Sequence, residues 1–383
     1  MRFYEFKQSL QINEGQDARI HHAEDLVFFE GSKGAARAIE SLKSLEQGGH
    51  KDVTIKWDGS PAVIFGRNAN GEFTLTDKSG FGAKGYDGRP SNGKDIEKMF
   101  LARKERKGIE ADDNYKAFAS NMKNVFDDFE QAVPDDFVGY FKGDLLYYHQ
   151  PPTEDNDYVF KPQMVTYRVD KDSAMGKKIA KSNSGVVLHM MIDENGTEKP
   201  LPPDYIEMLS GGGLLVFPAI TVEKGAAVDD TAIKELQQVV AKDSAAIDSF
   251  LNVQTLVSMK MKDVPNILYS YMNQKVDTGL SNINTDDFTR WLAGSSVSKV
   301  KQTRLVEYIS KNKTGIDAIF EVVNKIMQVK NDIINQFDSH KSSIRASIGD
   351  QPGGEGYVLA HPSGSFKLVN RAGFTAANRA VQR

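Results

Sequence analysis

The 383 residues include no cysteine. That absence excludes disulfide scaffolds, cysteine-ligated zinc, iron–sulfur clusters and thiol catalysis, and it permits a reducing compartment. Long apolar runs are also missing. The longest, Gly213 to Ile220, is broken by Pro218 and falls far short of the roughly 20 residues that span a bilayer. Residues 1–7 alternate polar and aromatic side chains, without the apolar centre of a signal peptide. A cytoplasmic protein with no membrane partner is the resulting expectation. No charge sign dominates: 48 Lys+Arg against 52 Asp+Glu leave a net charge of −4. This excludes coating nucleic acid by bulk charge but leaves a local basic surface open. Apolar residues at 40% and charged residues at 26% are ordinary for globular proteins. At roughly 100–200 residues per domain, the length predicts about two units.

The first 50 residues open on a short strand-like piece and a polar stretch with His21 and His22. Ala36, Ile39, Leu42 and Leu45 then recur at helical spacing after Gly31-Ser32-Lys33-Gly34, and Gly48-Gly49 ends the helix. Such a glycine-rich helix start can bind phosphate, but it lacks the full phosphate-loop spacing and reads as an ordinary helix start. From Val53 the pattern turns to short strands, over 53–57, 62–65 and 73–76, separated by Asp58-Gly59 and Asn70-Gly71 turns. Ser79–Asn92 reads as a Gly/Lys-rich loop and 94–132 as helix, acidic around Asp112-Asp113 and 127–130. Strands resume at 137–141, 158–160, 165–169 and 186–192.

The predicted fold class is α+β with a mainly antiparallel sheet. From residue 226 to 345 helical periodicity takes over, predicting an all-α module of about four or five helices. Strand character returns at 356–360 and 365–369. The expected organisation is therefore a first domain over 1–225, a helical insertion over 226–345, and 346–383 completing the first domain's sheet.

Chemistry concentrates in Lys56-Trp57-Asp58-Gly59, at the end of a strand. Lys56 and Asp58 project to one side by strand alternation. A carboxylate can orient the amine, but the amine becomes a nucleophile only where cations or desolvation lower its pKa. Alone, an Asp-Gly turn with a solvated lysine is the commoner meaning of this pattern. Three further segments shift the balance: Asp77-Lys78-Ser79-Gly80, Phe141-Lys142-Gly143-Asp144, and Glu355-Gly356-Tyr357-Val358 followed by Phe366-Lys367-Leu368-Val369. Cations for phosphates and carboxylates for Mg²⁺ are what a nucleoside triphosphate requires. His21-His22 lack a third ligand with metal spacing.

This ordered set resembles the covalent nucleotidyltransferases, the superfamily of polynucleotide ligases and mRNA capping enzymes. It is closest in texture to phage-type RNA-repair and RNA-editing ligases. Lys56-x-Asp58-Gly59 resembles motif I, Lys78-Ser79-Gly80 motif Ia, Phe141–Asp144 motif III, Val186–Ile192 motif IIIa, Glu355-Gly356-x-Val358 motif IV and Lys367 motif V. Asp144 stands where those ligases usually have Glu. Val369 stands where a second motif V lysine is usual, with Arg371 as a substitute. Only Asn370–Arg383 follow Val369, so no C-terminal OB domain is expected, which favours RNA ligases over DNA ligases and capping enzymes.

The resemblance implies an ATP-grasp-like nucleotidyltransferase domain, interrupted here by the all-α insertion. It implies ATP and Mg²⁺ as cofactors, with Lys56, Asp58, Asp144, Glu355 and Lys367 catalytic and Glu355 near the metal. Ile55, Lys56, Gly59, Lys78, Asp144, Glu355 and Lys367 would surround the nucleotide. Lys56 would form a lysyl–AMP that activates a 5′-phosphate end for attack by a 3′-hydroxyl. Asp58 would orient the lysine, and Asp144 would meet the ribose or assist Lys56. The partner would be nucleic acid ends, RNA favoured, in the host cytoplasm for a phage-encoded chain. A GTP-using capping-type guanylyltransferase, a DNA ligase and a degenerate nucleotide-binding protein are the alternatives.

The best nucleic-acid surface in the sequence is basic. Ten Lys/Arg against five acids lie between Arg290 and Arg345, with Lys299, Lys301, Arg304, Lys311 and Lys313 clustered. The acidic 110–136 segment is expected to lie away from any bound strand.

Overall fold

The computed structural model describes residues 21–46, 49–81, 89–193, 197–202, 204–209, 211–280, 283–340, 342–361 and 364–375. The strand expected over 1–7, Gly48 and half of the Gly/Lys-rich 79–92 loop, residues 82–88, lie outside them. The chain mixes helices with several sheets and divides into two compact units. One takes residues 1–56, 220–340 and 355–383; the other takes 57–219 and 341–354.

In the first unit the helical periodicity of 226–345 becomes six α-helices among the described residues: Asp230–Phe250, Val253–Ser258, Val264–Lys275, Thr285–Gly294, Lys299–Lys311 and Lys313–Ser339. That exceeds the four or five expected, because Asn252 and Asn312 begin new helices where the periodicity alone runs on. Asp229, Asn252 and Asn284 cap their helices by accepting main-chain N–H bonds, satisfying donors that a helix start leaves open. The long Lys313–Ser339 helix buries Ile316, Ile319, Val323, Ile326 and Ile333. They share one core with the Leu26–Ser44 helix and with Val53, Leu359, Phe366 and Leu368.

The Leu26–Ser44 helix is kinked at Gly31, with φ 63° and ψ −139°. There the Ser32 N–H donates to Asp248 Oδ1 at 2.8 Å and its hydroxyl to Oδ2 at 2.6 Å. A carboxylate from the chain itself thus occupies the glycine-rich helix start.

The terminal strands belong with these helices. Val53–Ile55, Tyr357–His361, Gly364–Leu368 and His21–His22 form a four-stranded sheet. The last two strands pair with Val53–Ile55, a strand of the expected first domain, in a sheet separate from that of the 62–192 strands, and their apolar faces close the helical core. The units consequently do not follow the expected limits at 225/226 and 345/346.

The second unit carries the other two sheets. In the larger, Ala62–Arg67 pairs antiparallel with Phe73–Asp77 and Gly139–Tyr147, and the latter pairs with Ser184–Ile192. Leu214–Phe217 joins parallel. The helices Gly93–Arg106 and Asp113–Ala132 contribute Ile96, Phe100, Met122, Phe126 and Phe129 to its core, against Phe65, Leu75 and Phe141. The remaining sheet contains Asp157–Phe160, Thr166–Asp170 and Ile344–Ile348. No helix among the described residues is long and apolar enough to cross a membrane.

Candidate functional site

Strand pairing over three hundred residues of sequence assembles the best-formed cluster, and all of it lies in the first unit. Ile55 pairs with Tyr357 and Val53 with Leu359, while Tyr357 and Leu359 pair with Leu368 and Phe366. Directly paired residues share a face of a sheet. This apolar set faces the helices, and half-buried Ile55 packs against them too. The opposite face carries Thr54, Val358 and Lys367, since Val358 pairs with both of the others.

The Lys56 N–H donates to Gly356 O at 2.9 Å and extends the ladder by one rung, which puts Lys56 on that same face. Gly356 has φ 125°, and a Cβ there would stand 2.4 Å from Leu368 O, so only glycine lets the strands close. Beside it, the Glu355 carboxylate forms an ion pair with Lys56 Nζ. Their side chains are 26% and 17% exposed: partly desolvated, yet within reach of a ligand. Lys367 is half-buried on the same face.

Arg371 does not substitute for a second motif V lysine. It is buried, donating to Asp25 Oδ1 at 2.7 Å and to Asn273 Oδ1 at 2.6 Å. Glu24 and Lys330 complete that cluster, with Lys330 Nζ 2.8 Å from both Glu24 oxygens.

The remaining expected residues belong to the second unit. Asp58 is buried; its N–H donates to Tyr167 Oη at 2.7 Å, and its Oδ2 accepts from the N–H groups of Met164 at 2.8 Å and Val165 at 3.1 Å. This carboxylate therefore pins the 164–165 main chain. Trp57 packs edge-on to Phe217 and at a tilt to Tyr167. A Cβ on Gly59 would lie 2.5 Å from Asp144 Cβ and 3.1 Å from Leu145 O, which accounts for the glycine.

Asp144, on the Gly139–Tyr147 strand, is about a quarter exposed, and its Oδ2 lies 2.8 Å from His189 Nε2. His189 is an addition that the sequence reading passed over. The pairing depends on a register shift between Lys142 and Gly143 against Ser184–Ile192, which strand alternation does not reveal. Lys78 opens the short helix Lys78–Phe81, and its side chain lies outside the described ones.

The expected basic surface is partly spent on internal contacts. Lys301 pairs with Asp263 at 2.7 Å and Lys313 with Asp317 at 2.7 Å. Lys299 donates to Ala293 O at 3.0 Å and to Gln302 Oε1 at 3.1 Å. Arg304 and Lys311 remain exposed.

A family model described as a family of unknown function (DUF6267) matches residues 17–383, a span that includes both units. No curated protein and no solved structure matches the chain.

Proposed function

We propose that this chain, which belongs to the family of unknown function DUF6267, is an ATP-dependent polynucleotide ligase, with RNA ends as the favoured substrate. The observation that carries this reading is the accessible Lys56–Glu355 pair with Lys367 on the same sheet face. It unites the residues that resemble motifs I, IV and V, although they are scattered over more than three hundred positions.

An ion-paired ammonium is not a nucleophile. In the proposed step the Lys56 proton passes to the Glu355 carboxylate. Lys56 Nζ then bonds to the α-phosphorus of ATP and sheds a second proton to solvent, the α–β phosphoanhydride bond breaks, and pyrophosphate leaves. A 5′-phosphate oxygen next attacks the lysyl–AMP phosphorus, breaking the P–N bond; the electron pair returns to Nζ, which takes back the proton held by Glu355. A 3′-hydroxyl finally attacks the activated 5′-phosphorus and gives its proton to solvent, the P–O bond to the adenylate breaks, the phosphodiester forms and AMP leaves. Lys367 would bind phosphate oxygens throughout.

A magnesium ion needs only one or two carboxylates when waters and substrate phosphates complete its shell. Glu355 fits that mode, and the described residues contain no group of three or more potential ligands for a preformed cage. The ion would supply charge neutralisation for the phosphates and the leaving pyrophosphate. The resemblance extends the nucleotide contacts to Ile55 in the same unit; Gly59, Lys78 and Asp144 belong to the second unit.

The test is incubation with α-labelled ATP or GTP and Mg²⁺, followed by denaturing electrophoresis. The wild-type chain should retain acid-labile label from ATP, and Lys56→Ala none. Preference for GTP would shift the reading to a capping-type guanylyltransferase. Undiminished label on Lys56→Ala, or none on the wild type, would overturn it.

A further inference from the structure

The second unit contains a basic groove that the sequence reading did not single out. Arg103, Lys104, Arg106, Lys107 and Tyr115 line a cavity of about 600 Å³. The first four residues crowd the C-terminal end of the Gly93–Arg106 helix. Tyr115 comes from the acidic 110–136 segment, where the Asp112 side chain caps the Asp113–Ala132 helix by accepting the Tyr115 N–H at 2.8 Å.

Cations at a helix C-terminus complement its dipole, and this is the plain structural account of such a cluster. It does not suffice here. The helix end is already closed by two main-chain bonds, Gly108 N–H to Glu105 O at 2.9 Å and Ile109 N–H to Lys104 O at 3.0 Å. Gly108 adopts the φ of 65° that this closure demands. Arg103 with Arg106, Arg103 with Lys107, and Lys104 with Lys107 are like-charge neighbours at spacings of three and four, which destabilise a helix. Only Arg103 has an ion-pair partner, Asp77. Lys104, Arg106 and Lys107 form no ion pair among the described residues. Lys104 Nζ instead sits 4.7 Å from the centroid of the Tyr115 ring.

We propose that this groove binds the backbone of a single-stranded polynucleotide, with Tyr115 offering a surface for a base. A linear polyanion relieves the mutual repulsion of the unpaired cations, and a ring beside a cationic track is how sequence-tolerant single-strand binding is built. Binding here does not depend on nucleotidyl transfer, so a Lys56→Ala chain should keep it.

Fluorescence anisotropy with a labelled 20-nucleotide single-stranded RNA, without ATP, tests the proposal on the full chain. Arg106→Ala/Lys107→Ala should weaken binding at least tenfold. It should also flatten the slope of log K against log salt by about 1.4, for two lost phosphate contacts at ~0.7 each. Arg106→Lys should restore much of the affinity, and Lys177→Ala/Lys178→Ala, at exposed lysines of the Ala174–Ile179 helix, should leave it within about twofold. Both double variants change exposed side chains, and matching circular dichroism melts will show that they fold. The proposal fails if Arg106→Ala/Lys107→Ala binds like wild type, if wild type binds no RNA, or if anionic phospholipid vesicles outcompete the RNA at equal charge.

Discussion

Two lysine–glutamate pairs in the first unit differ in one respect that separates chemistry from architecture. Lys56 and Glu355 meet at strand ends with 26% and 17% of their side chains exposed. Lys330 and Glu24 meet with 1% and 0% exposed. The buried pair is saturated: Lys330 bonds both carboxylate oxygens, and Arg371 adds a further contact at 3.3 Å. Burial alone pushes Glu24 up, but the charges of Lys330, His22 and Arg371 outweigh it and bring its pKa down to about 2. Neither member of that pair is open to a ligand, whereas both members of the Lys56–Glu355 pair present part of their surface. A perturbed titratable group is thus a poor guide to function unless something can reach it.

The largest stability effect should come from breaking the buried pair. Lys330→Met leaves Glu24 as a buried carboxylate with only the longer Arg371 contact, and should cost about 3–5 kcal/mol in urea unfolding. Glu24→Leu/Lys330→Met should recover a large part of that loss, since no lone charge is then buried. If the single variant unfolds like wild type, the burial of this pair carries no structural weight and the contrast collapses.

Gly356→Ala probes what holds the accessible pair together. Its Cβ would meet Leu368 O at 2.4 Å in a backbone conformation that favours glycine, so a loss of about 1–3 kcal/mol is expected. Because the same glycine seats Glu355 beside Lys56, nucleotide labelling should fall more steeply than stability. Equal losses in both would show that the strand closure serves the fold alone.

The pH dependence of stability separates the two carboxylates of the buried cluster. Burial pushes Asp25 up to about 6, against the pull of Arg371. Its folded pKa lies above its unfolded one, near 3.9, so its stabilising contribution is complete below about pH 4 and is lost as pH rises through 6. Glu24 behaves oppositely, contributing above its unfolded pKa of about 4.3 and losing that contribution as pH falls toward 2. The difference in unfolding free energy between wild type and Asp25→Asn should therefore decline between pH 4 and 6 by up to about 1.4 kcal/mol per unit, whereas buried His22, which desolvation holds well below the usual imidazole range, slopes the total profile the other way. A difference that stays flat over pH 4–6 would mean that Arg371 keeps Asp25 ionised throughout.

What the sequence revealed was local. Period-two alternation located the strands at 62–67, 73–77 and 184–192, and helical periodicity located the 226–345 helices. Partnership is non-local and left no such trace. Nothing in Tyr357-Val358-Leu359 says which strand of the chain lies beside it, nor that the sheet so formed packs on the helices. Glu24 and Asp25 read as part of a polar stretch because their partners, Lys330 and Arg371, are more than three hundred positions away. Lys301 read as one of a basic cluster because its partner Asp263 lies 38 positions earlier, just before the Val264–Lys275 helix. Lys56, Glu355 and Lys367 were visible because their spacing follows a known order of motifs, and the strand register is consistent with their sharing a sheet face.

The smallest effect is the sharpest test of the comparison. An ion pair that water can reach contributes about 0–1 kcal/mol, since its attraction is screened and two long side chains lose freedom in making it. Lys56→Met and Glu355→Gln should each unfold within about 1 kcal/mol of wild type, in the same urea series that exposes the severe loss in Lys330→Met. With the fold intact, loss of labelling in Lys56→Met is then a loss of chemistry. A penalty above about 3 kcal/mol for either substitution would place this pair in the same class as the buried one. The lysine would then be a strut between strands, and its exposure would no longer argue for a reaction.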